Sequence, residues 1–417
     1  MKRLRYLVIA AVCASCIALL GASPIAAQDQ VTVTIWHTYN EVGPETQMLT
    51  ETLIPAFEAA HPDIHVEAVA YPYDGFRQAL LTALAGGTGP DLARLDIIWS
   101  PEFADQGVLA ALDEVMPDFQ EYADNVFPGP LSTNAYNGHY YGLPLDTNTR
   151  VLVYNQAMLD QAGIDAVPTT MDEVAADCAS VTALGEGNFL FSDGGTSGWN
   201  LLPWIWSFGG DITNPEMTQA TGFLNGEKSV AALEFLKARM DEGCFSDGFI
   251  GSGIDNWGGF FGGTIASMLE GPWLYPVAES DHPDFTVGAA LMPAGEGGSI
   301  SVVGGENVVL FSGSKQQDAA LEFLRFTQSE EYQQQMSTVG QLTVLNALVD
   351  TDYFTNHPYY PIFLEQLQTA RARTPVPQWT SMEEVLSDAG QLILRGEASA
   401  QEALDAAAEE IDSLLAK

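Results

Sequence analysis

The chain has 417 residues, with 55 acidic side chains against 15 basic ones and a formal charge of −40 at neutral pH. A polyanion would meet a repulsive field with no basic patch to offset it, which argues against nucleic acid as a partner. So much negative charge with so little lysine points to saline or acidic surroundings, or to long-range attraction of a cationic ligand.

Lys2, Arg3 and Arg5 precede an apolar run from Tyr6 to Leu20, and the small residues Ala26 and Ala27 precede Asp29. This layout predicts a secretory signal peptide over residues 1–27 and an exported chain of roughly 390 residues, with a periplasmic or extracellular address and attachment at the cell surface left open. No later segment offers about 20 uninterrupted apolar residues, so no membrane span is expected. Cys13 and Cys16 fall in the leader, which leaves Cys178 and Cys244. In an exported chain one disulfide is favoured over two buried thiols. His61 and His65 stand four apart, but Pro62 follows the first where the H-E-x-x-H zinc motif needs Glu, and no nucleotide fingerprint opens a helix, so neither a metal nor a cofactor is expected.

Val31 to Trp36 reads as a strand, followed by a helix from Pro44 to Ala60, a strand at Ile64 to Val69, a helix at Asp74 to Ala85 and a strand at Ala93 to Ile98. This alternation predicts an α/β layout with a mostly parallel sheet. Further on, Arg150 to Tyr154 is β-rich, and Thr169 or Thr170, with Glu173 near the box position, predicts a capped helix from Met171. Ser229 to Met240 is amphipathic, Thr264 to Leu269 and Gly304 to Phe311 read as strands, and Ser314 is placed to cap a helix carrying Ala320, Leu321, Leu324 and Phe326. The length exceeds one core, so two lobes with more than one crossing are expected.

The eight tryptophans cluster at the ends of predicted elements and in Gly-rich loops. Any single one is as well explained as a lid over a core. Several beside Asp, Glu or Asn suggest a saccharide cleft, because indole faces pack on sugar C–H faces while hydroxyls need directional carboxylates and amides. The candidate ligand residues are Asn40 and Glu41 after the first strand, Asp96 and Trp99 with Glu102 after a later one, and Trp199, Trp257 and Trp273 from Gly-rich stretches. Arg373 and Trp379 flank a Pro-bounded loop, and Arg373 is the sharper candidate as a scarce fork donor, against a plain salt bridge. Carboxylates are so abundant that an apparent glycosidase pair carries no weight, and binding without turnover is the economical account.

Val33-Thr-Ile-Trp-His37, Gly86-Gly-Thr-Gly-Pro-Asp91, Phe103-Ala-Asp-Gln-Gly107, Tyr141-Gly-Leu-Pro144 and Met268-Leu-Glu-Gly-Pro-Trp273, in this order, resemble the family 1 extracellular solute-binding proteins, the maltose-binding-like receptors of ABC importers. The resemblance implies a two-lobed periplasmic-binding-protein fold of type II, its hinged lobes joined by multiple crossovers. It implies lobe 1 over residues 28–142 and about 277–345, and lobe 2 over about 143–276 and 346–417. It also implies a monomer that captures a trehalose-, maltose- or glucose-like sugar and delivers it to a membrane permease, with Asn40, Glu41, Asp96, Asn148, Trp199, Trp273 and Arg373 at the ligand. A receptor for a cationic solute such as a polyamine, and a secreted glycoside-processing enzyme, are the competing readings.

Overall fold

The computed structural model describes residues 30–251 and 253–416. The expected signal peptide lies outside the described residues. The described residues hold eleven strands, nine of them in two main sheets: β1 (Val31–His37), β2 (Ile64–Ala70), β3 (Leu92–Asp96), β4 (Ala135–Tyr136), β5 (His139–Tyr140), β6 (Gly142–Thr149), β7 (Val151–Asn155), β8 (Phe189–Ser192), β9 (Ile265–Glu270), β10 (Val287–Ala290) and β11 (Val303–Leu310). One sheet has the order β2-β1-β3-β11-β6 and the other β10-β7-β9-β8, while β4 and β5 make a small hairpin.

The first sheet is mixed, which corrects the expectation of a mostly parallel one. β1 pairs in parallel with β2 and β3, but β11 runs antiparallel to both β3 and β6. β11 arrives from the other lobe, so no helical crossover within this lobe forces it parallel to its neighbours. Alternation along β1 sends Val33 and Ile35 into the core, whereas every residue of β3 and β6 is buried, as befits strands covered on both faces.

The predicted helix after β1 forms in three successive stretches, Pro44–Gln47, a wider π-helical Met48–Leu53, and Ile54–Ala60. Pro55 has no amide hydrogen to give the preceding turn, and the widened turn accommodates it. Leu49, Leu53, Ile54 and Phe57 still face one core. Thr170 and Glu173 make the predicted capping box. Ser314 does not cap its helix, which starts at Gln317; its hydroxyl is engaged by the Asp91 carboxylate at 2.5 Å.

The chain crosses between the sheets at Arg150, between β6 and β7, and again between β10 and β11. The lobe limits therefore differ from those expected. β6 (142–149) belongs almost entirely to the first sheet, and β10 (287–290) pairs with β7 in the second. A third segment returns near Arg371, whose amide donates to Ser301 O at 2.9 Å and whose carbonyl accepts from Val303 at 2.8 Å. The Ser301 hydroxyl donates to the Arg150 carbonyl at 2.7 Å. Three crossings thus lie side by side, the arrangement of a hinge.

The second lobe is closed by the helices Trp379–Leu394 and Ala400–Leu415, packed against Glu227–Asp241. Cys178 and Cys244 are joined in a disulfide, tying the helix Met171–Thr182 to the turn that leads into the bridge between Phe245 and Phe191 on β8.

Candidate functional site

A cavity of about 520 Å3 opens where the carboxyl ends of β1 and β3 meet the second lobe, the place where open α/β sheets put their ligands. Asn40, Asp96, Asn148, Trp199, Trp257, Trp273 and Arg373 all line it. Glu41 is exposed and stands outside the lining; Glu45, one turn on, stands inside it. Trp99 is 5 % exposed and lies beneath the site, stacked at 5.1 Å on Tyr73, which does reach the cavity. Trp379 is in the core, and Glu102 is turned away to pair with Arg77.

The floor is a charged ladder. Asp96 and Glu306 are Cα partners across β3 and β11. Arg94 donates to Glu306 at 2.6 Å and pairs with Asp146 at 3.2 Å, with its guanidinium 4.1 Å from the centre of the Tyr39 ring. Arg373 donates to Asp96 at 3.3 Å, and the Tyr73 hydroxyl donates to the other Asp96 oxygen at 2.7 Å. Burial and the neighbouring Asp146 hold the Glu306 carboxyl well above the usual carboxylate range despite Arg94. Burial likewise raises Glu45, whose carboxylate receives the Gln341 amide. Two side-chain atoms of lining residues, Asn148 Oδ1 and Arg373 Nε, are buried without a hydrogen-bond partner, a costly condition when it persists.

The second lobe contributes the aromatic wall. Trp199 lies in the first turn of the helix Gly198–Ser207, whose N-terminal end faces the Glu383 carboxylate from the helix Trp379–Leu394. This places a negative group where a helix N-terminus favours one. Arg150, buried at the first crossing, donates to the Trp199 carbonyl at 3.1 Å, to Asn200 Oδ1 at 2.9 Å and to Asp193 Oδ1 at 2.7 Å. The indole of Trp199 has the Arg150 and Arg373 guanidiniums 5.6 and 5.3 Å from its ring centre and Trp273 at 6.3 Å with a 30° tilt. Trp273 folds over Gly271, where a Cβ would overlap its ring. Trp257 is oriented by its indole N–H, which donates to Glu270 at 2.7 Å.

Besides Glu45, the lining residues that sequence reasoning missed include Tyr73, Arg94, Glu306, Gln341 and Glu383. Two of them carried a signal: Arg94 and Glu306 are charges set among apolar residues inside strands, and such charges are rarely buried unless paired. Tyr73 carried none, because Asp74 and Gly75 depart from helical geometry and turn it toward the cleft.

Two α/β lobes with mixed sheets, several crossings and a cavity between them define the type II periplasmic-binding-protein fold. Residues 43–334 match the bacterial extracellular solute-binding proteins, and the chain belongs to that family. A binding protein of Brucella abortus is 28% identical over 389 residues, covering 91% of this chain and 93% of that one. The GacH receptor of Streptomyces glaucescens, solved unliganded and with acarbose, superposes with a TM-score of 0.85 at 26% identity, covering 93% of this chain and 99% of the receptor. A solute-binding protein of Thermotoga lettingae bound to α-D-tagatose gives 0.83 at 25% identity, covering 92% and 99%. Family membership supports a binding role outside the cytoplasm rather than a catalytic one.

Proposed function

We propose that this chain is a receptor for a neutral mono- or oligosaccharide of the trehalose, maltose or glucose type, which it hands to an ABC permease. The observation that carries the reading is the meeting of three indoles, Trp199, Trp257 and Trp273, with Asp96, Asn148 and Arg373 around one cavity. Indole faces suit sugar C–H surfaces, and the orphaned Asn148 oxygen and Arg373 Nε–H suit hydroxyls that donate and accept. The carbohydrate ligands of the GacH and Thermotoga proteins point the same way. Both lining arginines are already tied to carboxylates, so an anionic solute would find no free cation and meet Glu45 and Glu383 as well.

That surplus of carboxylates also favours a second reading, a cationic solute held by Glu45, Asp96 and the aromatic rings. A thermal-shift series with glucose, maltose, trehalose, tagatose, acarbose, spermidine and glycerol 3-phosphate separates the two. Stabilisation by a sugar that saturates with concentration supports the carbohydrate reading. Stabilisation by spermidine alone contradicts it.

A further inference from the structure

We propose that Gly304 is a seat on the first lobe for the Trp199 ring of the second, so that the size of residue 304 sets how deeply this indole enters the cleft. Gly304 is buried on β11 opposite Asn148 of β6. A Cβ there would overlap Asn148 Oδ1 and stand 2.7 Å from both Cη2 and Cζ3 of Trp199. Space is the requirement at this position. The adjacent Gly305, in contrast, has φ +130° and needs glycine for its backbone. Trp199 belongs by packing to the second lobe, since its helix lies on Glu227–Asp241 and Trp379–Leu394. Its contact with β11 is therefore made between lobes. The rest of the ring is held by two guanidiniums and Trp273, and it is partly exposed. A methyl group at 304 has an easier way to be accommodated by displacing that ring than by deforming β11, which at this point is buried and paired to β6.

Gly304 is thus a positioning residue that acts through Trp199, and its test reads Trp199 directly. Acrylamide quenching of the emission lost between the parent and Trp199→Phe reports the exposure of this indole without any ligand. Gly304→Ala is expected to raise that quenching about twofold and to weaken acarbose binding about tenfold; in a Trp199→Phe background the same change is expected to move affinity less than about twofold. The affinity arm rests on the carbohydrate reading and the quenching arm does not, so their failures are distinguishable. Unchanged Trp199 quenching overturns the proposal, as does an equal loss of affinity in both backgrounds. If Gly304→Ala alone does not fold, recovery in the double variant supports the seat, and failure of both overturns it.

Discussion

Asp96 and Glu306 stand opposite each other across β3 and β11, and each carboxylate is held by its own arginine, Arg373 and Arg94 respectively. Like charges placed this close repel, so the floor of the cavity persists only while both arginines are present. Arg373 comes from the third crossing segment, which couples the charge balance of the first lobe to the hinge.

Replacing Arg373 by Met leaves Asp96 buried and uncompensated. The expected loss is about 3–5 kcal/mol of unfolding free energy, together with most of the ligand affinity. Urea unfolding of this variant checks the first, and Asp96→Asn/Arg373→Met should recover part of it.

Trp273→Ala removes the ring folded over Gly271 without touching the ion pairs. Its expected effect is about 2 kcal/mol in ligand affinity and little in stability, because the ring is partly exposed. Calorimetry with the sugar found by thermal shift measures it; unchanged affinity would contradict a stacking role.

Acidity should stabilise the fold through Glu306. Its folded pKa is raised by burial above the ordinary 4.5, so the unfolded chain loses its proton first as pH rises. The contribution is fully present below the unfolded value and is lost as pH climbs through the folded one. His37 opposes this: burial and Arg94 lower its pKa to about 4, so stability falls as pH drops from 6.5 toward 4. Glu306→Gln should therefore remove the stabilisation that Glu306 contributes between its raised folded value and 4.5, while the loss carried by His37 below 6.5 stays in place. An identical pH profile in the variant and the parent would show that Glu306 does not carry the effect.

A formal charge of −40 predicts a thermal midpoint that climbs with sodium chloride at neutral pH, as screening relieves self-repulsion. A midpoint indifferent to salt removes the saline explanation of the composition. Reduction of the disulfide, whose partners are 66 residues apart, should lower stability by about 4 kcal/mol on the chain-entropy model.

Much of the architecture was legible because it rests on local periodicity. The β1 alternation and the capping box at Glu173 each declare themselves within a few residues. The direction of β11 did not, since a strand entering from the other lobe looks the same in sequence whichever way it runs. Within the site, Asp96, Trp199 and Arg373 stood out by residue type beside a turn or a Pro-bounded loop. Glu41 and Glu45 could not be told apart that way, because which carboxylate faces the cleft depends on where the helix starts. Trp99 and Tyr73 exchange roles for a similar reason, the departure from helical geometry at Asp74 and Gly75 deciding which ring is uppermost.

The most direct measurement is isothermal titration calorimetry of the purified protein with maltose, trehalose, acarbose and spermidine, repeated on Trp199→Ala/Trp273→Ala. The account predicts one-to-one binding of at least one of these neutral or pseudo-sugar ligands, lost in the double variant while its fold is retained. Sugar binding that survives loss of both indoles, or heat with spermidine alone, would contradict it.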